Sequence, residues 1–147
     1  MIEDDRGAVA GWEVLPFGFL VFVVGTLLLA NAWGVVDAKM AASAAAREGA
    51  RAFVHAADES AAHSRAGGAV DDALRGHGRS PGEAHTLVEG DFARCGRVAV
   101  TVAIPVPTIG LPWVGGLGPV LTARSVHGEL VDPLRSGVPG EADCVRG

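Results

Sequence analysis

The chain has 147 residues, a formal net charge of −5 and 49% hydrophobic residues, yet only 5% are aromatic and tyrosine is absent. That length suits one domain with an appendage and argues against two full domains. The acidic balance and the scattered basic residues argue against nucleic-acid binding. With 25 alanines carrying so much of the apolar content, a thick core of large side chains is excluded as well.

Most of the large apolar residues lie in one place. After a short leader, residues 1–13, the stretch 14–36 reads VLPFGFLVFVVGTLLLANAWGVV, uncharged, with Thr26 and Asn31 its polar members. As a helix it reaches ~34 Å, enough to cross a hydrocarbon core of ~30 Å. Glu13 and Asp37 close it, and Trp12 and Trp33 stand where interfacial aromatics are expected. A buried core helix is the bland alternative, and the uncharged length argues against it. A cleaved secretory signal is the other: Ala30-Asn31-Ala32 offers a small-x-small site, but the leader MIEDDRG is acidic where such signals are basic. The expectation is a retained single span.

Counting Arg6 against Lys39, Arg47 and Arg51 weakly favours a cytoplasmic C-terminal side. Long domains translocate largely regardless of such charges, and both cysteines, Cys95 and Cys144, follow the span. A pair in a small domain fits an oxidising exterior, where closing a loop of ~50 residues contributes about 4 kcal/mol. Two unpaired thiols are the alternative, since spacing alone does not prove a bridge. The N-terminus is therefore expected inside and the domain outside.

Residues 37–78 read as an alanine-rich helical stalk with a second helix. Thirteen of the 29 residues 38–66 are alanine, with no proline, so helix propensity is high. Arg47, Glu48, Arg51, His55 and Asp58 share one arc; Ala42, Ala46, Gly49, Ala50, Phe53 and Ala57 share the opposite one. Ala30, Gly34, Ala38, Ala42, Ala46 and Ala50 also form a spacing-four series of small residues across the membrane boundary, with Phe53 on the small-residue face of the stalk. Such a stripe lets helix backbones approach closely and points to lateral packing on neighbouring helices, although abundant alanine alone also produces such runs. Asp58 or Ser60 starts the second helix, which the glycines of Leu74-Arg75-Gly76-His77-Gly78 end.

Residues 79–135 read as a three-stranded antiparallel sheet. Ser80-Pro81-Gly82-Glu83 resembles a capping box, but His85-Thr86-Leu87-Val88-Glu89 is too short and too β-like to sustain a helix, so a turn and then a strand are expected. In residues 97–104, Val98, Val100, Val102 and Ile104 alternate onto one face, and Pro105-Val106-Pro107 is expected to end the strand. A third strand covers 120–131. The apolar face of this sheet needs a lid, and the preceding helices are the obvious one. The fold class is α+β, with an irregular tail at 136–147. Between the last two strands, TIGLPWVGGLGP (108–119) carries Leu111, Trp113 and Val114. Trp113 either anchors a partner subunit or membrane surface, or folds back over the sheet edge, which the scarcity of aromatics favours.

Arg6-Gly7 before the span, Glu13 at its mouth, Pro16 just inside and the string AAREGAR at 45–51 together resemble the TadE-like minor pseudopilins of tight-adherence (Tad, type IVb) pilus systems. The likeness covers the first third of the chain, more loosely the later strands. It implies a bitopic subunit with a cytoplasmic N-terminus, cut by a prepilin peptidase and acting in pilus assembly, initiation or the tip. A cut after Gly7 makes Glu13 the sixth residue of the mature chain; a cut after Ala8 makes it the fifth. The implied partners are other pilin or pseudopilin subunits, the assembly platform and the membrane.

No phosphate-binding loop, nucleophile elbow or zinc-protease motif occurs, and the five histidines lack ligand-spaced companions, so neither a cofactor nor a metal is expected. The leading expectation is structural, not enzymatic. The rivals are a single-pass protein whose outer head binds a ligand or partner outside any filament, and a membrane-tethered wall hydrolase.

Overall fold

A computed structural model describes residues 6–107, 109, 121–142 and 144, with side chains described from residue 14 onward. The elements in chain order are α1 (Arg6–Val54), α2 (Glu59–Gly76), a 3₁₀ turn (Pro81–Glu83), β1 (His85–Gly90), β2 (Arg97–Val106) and β3 (Leu121–Leu130). The strands form one antiparallel sheet in the order β1-β2-β3. The class is α+β, as the sequence pattern implies.

Helix α1 is unbroken over 49 residues, about 73 Å at the α-helical rise. Pro16 lies inside it, a position that membrane helices tolerate because neighbouring groups re-satisfy the freed carbonyl. Its two halves live in different surroundings. None of its most apolar window is buried, whereas from Ala38 onward one face is sealed inside the head.

The helix stops where side chains fix its end. Asp58 adopts an extended conformation and caps α2, its carboxylate accepting from the Ala61 N–H at 2.9 Å and from Ser60 Oγ at 2.6 Å. The chain reverses there, and α2 runs back along α1. Its 18 residues cover about 27 Å, and the chain beyond it returns Arg79 to Asp37, where the two side chains pair at 2.5 Å. Gly78, at φ 69°, makes the turn that ends this helix. Because the chain has already turned, Ala57 is exposed and does not continue the stalk's small-residue face.

The core is thin, as its residues dictate. Ala62, Ala66, Val70 and Leu74 of α2 and Val98, Val100, Val102, Ile104 and Val106 of β2 close over the alanines of α1. Alternation along β2 places its valines toward the helices, as expected. Strand β2 runs two residues further than expected, through Pro105. β1 begins at His85, opposite Ala103, so at Pro105 the strand has a neighbour on one side only, the edge situation in which proline is tolerated.

Candidate functional site

The exposed half of α1 is the first surface that demands a partner. Val14, Leu15, Phe17, Phe19, Phe22, Leu28, Leu29 and Trp33 each expose more than half of their area. Burying one such side chain contributes ~2 kcal/mol, so together they favour an apolar environment over water by on the order of 15 kcal/mol. That matches or exceeds the net stability of a whole small domain, about 5–15 kcal/mol. A helix of this length and exposure is compatible with a single-pass membrane protein.

The small-residue series divides near the end of the apolar stretch of α1. Ala38, Ala42, Ala46, Ala50 and Phe53 are fully buried within this chain. The expectation that these stalk residues meet neighbouring subunits is therefore corrected: their close-packing partners are α2 and the sheet of the same chain. Small side chains encode how near a backbone can come, and α2 is the backbone that comes. Gly34 is half-buried, its missing Cβ position 3.7 Å from Val106 Cγ1. Ala30 alone of the series remains exposed, at the bottom of an open apolar notch of about 530 Å³ between Thr26, Leu29 and Trp33.

Gly7, Ala8 and Glu13 belong to the first turns of α1, but their side chains lie outside the described residues, as do Leu111, Trp113 and Val114 altogether. Cys95 and Cys144 are bonded to each other, 49 residues apart. Around that bond the tail is tied down: the Arg94 N–H donates to the Pro139 carbonyl at 2.7 Å, and Val138 is buried.

Two long-range contacts have no local signature. The Arg135 guanidinium donates to the carbonyls of Val54, His55 and Ala56, at and just beyond the end of α1, and it lies over the Phe92 ring. Phe92 packs edge-on against Phe53, which meets His63 in the same manner. This cluster locks the top of the stalk to the tail. At the other end, Asn31 within the apolar stretch of α1 bonds to the backbone of Ile109. A planar fork among apolar rings and a lone Asn are the only hints that either residue carries in sequence.

The outer face of the sheet is a second open surface. Leu87, Val126 and Leu130 stay about half exposed around the buried Thr101. At one end, Ala99 and Gly128 floor an open groove of about 620 Å³ edged by Glu89, Arg97 and Leu130. Among the described residues no cluster of three metal-ligating side chains forms. No family model, curated protein or solved structure matches this chain.

Proposed function

We propose that this chain is a TadE-like minor pilin or pseudopilin, a structural subunit that is held in the membrane by α1 before entering or initiating a Tad-type pilus. The observation that carries the reading is that one continuous helix joins an exposed apolar stretch, long enough to span a membrane, to the spine of the head. A rigid coupling of that kind lets a subunit be lifted from a bilayer and packed side by side with others. The sequence likeness at Arg6-Gly7, Glu13, Pro16 and the AAREGAR string supports it. The N-terminus faces the cytoplasm, the disulfide-tied head lies outside, and the role is structural rather than catalytic. With the stalk alanines occupied internally, contacts to other subunits run through the apolar half of α1, with the notch at Ala30 as the closest-approach point. Glu13 at the membrane mouth pairs with the freed α-amino group of a neighbouring subunit after processing.

Mass spectrometry of the mature protein, co-expressed with a prepilin peptidase and pilus platform, tests this. A mature N-terminus at Ala8 or Val9, with co-purifying pilin-like chains, is expected; an intact Met1 in a protein that purifies alone would reject it.

The groove at Ala99 and Gly128 favours one second reading, a tethered head that binds a ligand or partner outside any filament, because its volume lies in the range of small-molecule sites. Filling it with Ala99→Trp leaves pilin co-purification intact under the first reading and abolishes partner binding under the second.

A further inference from the structure

Asn31 is the most polar residue of the uncharged stretch 14–36, five residues before its end, or about 8 Å along the helix toward the membrane. An amide at that depth needs every hydrogen bond satisfied. Its Nδ2 donates to the Leu27 carbonyl of its own helix at 2.8 Å and to the Ile109 carbonyl at 3.4 Å, while its Oδ1 accepts from the Ile109 N–H at 2.9 Å. Both backbone groups of Ile109 are thereby held against the span itself. The strands before and after follow the helix to the same level, with Val106 against Gly34 and Leu121 paired with Val106.

Along α1, β2 and β3 the charges stop short of this level. Asp37 pairs with Arg79, in the chain beyond α2, and the Lys39 ammonium donates to the backbone carbonyl of Arg124 in β3, so two charged residues of α1 are each tied to the head just above it. Beyond Arg124 the described residues of β3 are Ala123, Thr122 and Leu121, and beyond Ala103 those of β2 are Ile104, Pro105 and Val106, all uncharged. Ile109 and Leu121 are about half exposed there.

We infer that the head has a second membrane contact: the end of the sheet formed by residues 104–106 and 121–123, together with Ile109 and pinned to the span by Asn31, is immersed in the lipid leaflet on the head's side. The occupant of this surface is the bilayer, because the surface is continuous with the lipid-facing side chains of α1 and lies below the belt of Asp37, Lys39, Arg79 and Arg124. The head then sits on the membrane at a fixed tilt rather than swaying on a free stalk. The inference rests on α1 being a span.

The test uses the full chain in phosphatidylcholine vesicles whose acyl chains are brominated at chosen depths. Trp12, Trp33 and Trp113 are replaced by Phe, and one tryptophan is restored at a time, as Ile109→Trp, Leu20→Trp or Leu134→Trp. The expected result is strong quenching and blue-shifted emission at 109, deepest quenching at 20, and none at 134, which is exposed beside the top of the stalk. Adding Asn31→Leu to the 109 variant should remove most of its quenching while leaving that at 20 unchanged. Quenching at 20 without any at 109 would overturn the inference and leave the span intact. Loss at both positions would overturn the span and the inference with it. Quenching at 109 unaffected by Asn31→Leu would overturn the pinning by Asn31.

Discussion

Gly49 of α1 lies against Val70 of α2 so closely that a Cβ on the glycine would stand 2.6 Å from Val70 Cγ2 and 3.2 Å from Val100 Cγ1. Valine is stiff at χ1 and cannot swing aside within a packed core, so this contact sets the spacing of both helices and the sheet. Gly49→Leu should destabilise the head by about 3 kcal/mol despite the better helix propensity of leucine. Ala30→Leu, on the exposed span, should stay within about 0.5 kcal/mol. Thermal unfolding in detergent, followed by circular dichroism, checks both; equal midpoints for Gly49→Leu and the parent would show that the seam is loose.

The same seam shows what the sequence carries and what it does not. Periodicity alone places the wet arc of Arg47, Glu48, Arg51 and His55, all exposed, opposite Ala42, Ala46 and Phe53, all buried. Alternation places the valines of β2, and Gly76 and Gly78 mark the end of α2. Alanine, however, specifies only the distance of approach and is silent on whether the partner is another chain or a later part of its own. Asn31 with Ile109 and Arg135 with Val54 lie 78 and 81 residues apart, and no local pattern announces such pairs.

Arg135 should be the least replaceable charge in the head. Its fork covers three carbonyls at the negative end of α1, an arrangement worth about 2 kcal/mol when partly buried. Arg135→Ala should lower the unfolding midpoint accordingly and speed amide exchange at the end of α1 and in the tail. Arg135→Lys should recover only part of the loss, because an ammonium cannot serve diverging carbonyls with a planar fork. Full recovery by lysine would mean that charge alone matters.

The Cys95–Cys144 bond encloses β2 and β3, and the chain-entropy treatment assigns closure of such a loop about 4 kcal/mol. Reduction, or Cys144→Ser, should therefore lower the denaturation midpoint and release the tail to proteolysis after Arg135. The span should remain in the membrane throughout. Unchanged protease resistance on reduction would assign the tail's order to Val138 and the Arg94–Pro139 bond instead.

Acid should weaken the α1–α2 reversal. The Ser60 hydroxyl and the Ala61 N–H hold the Asp58 carboxyl below its ordinary value of 3.8. A depressed folded value means that the stabilisation is complete above the ordinary value and is lost as pH falls through the folded one. Helicity of α2 should therefore decline at pH below about 3.8, and Asp58→Asn, which caps without titrating, should flatten that decline. Identical acid profiles for the two proteins would place the sensitive group elsewhere.

Lateral assembly through the apolar half of α1 is tested most directly by photo-crosslinking in cells that carry the pilus machinery. A photoreactive side chain at Ala30 should capture other pilin-like chains or further copies of this one, giving defined adducts. The same group at exposed Arg47, on the wet arc of the stalk, should give few. Only monomer at position 30, with a correctly inserted and folded protein, would contradict assembly through the span.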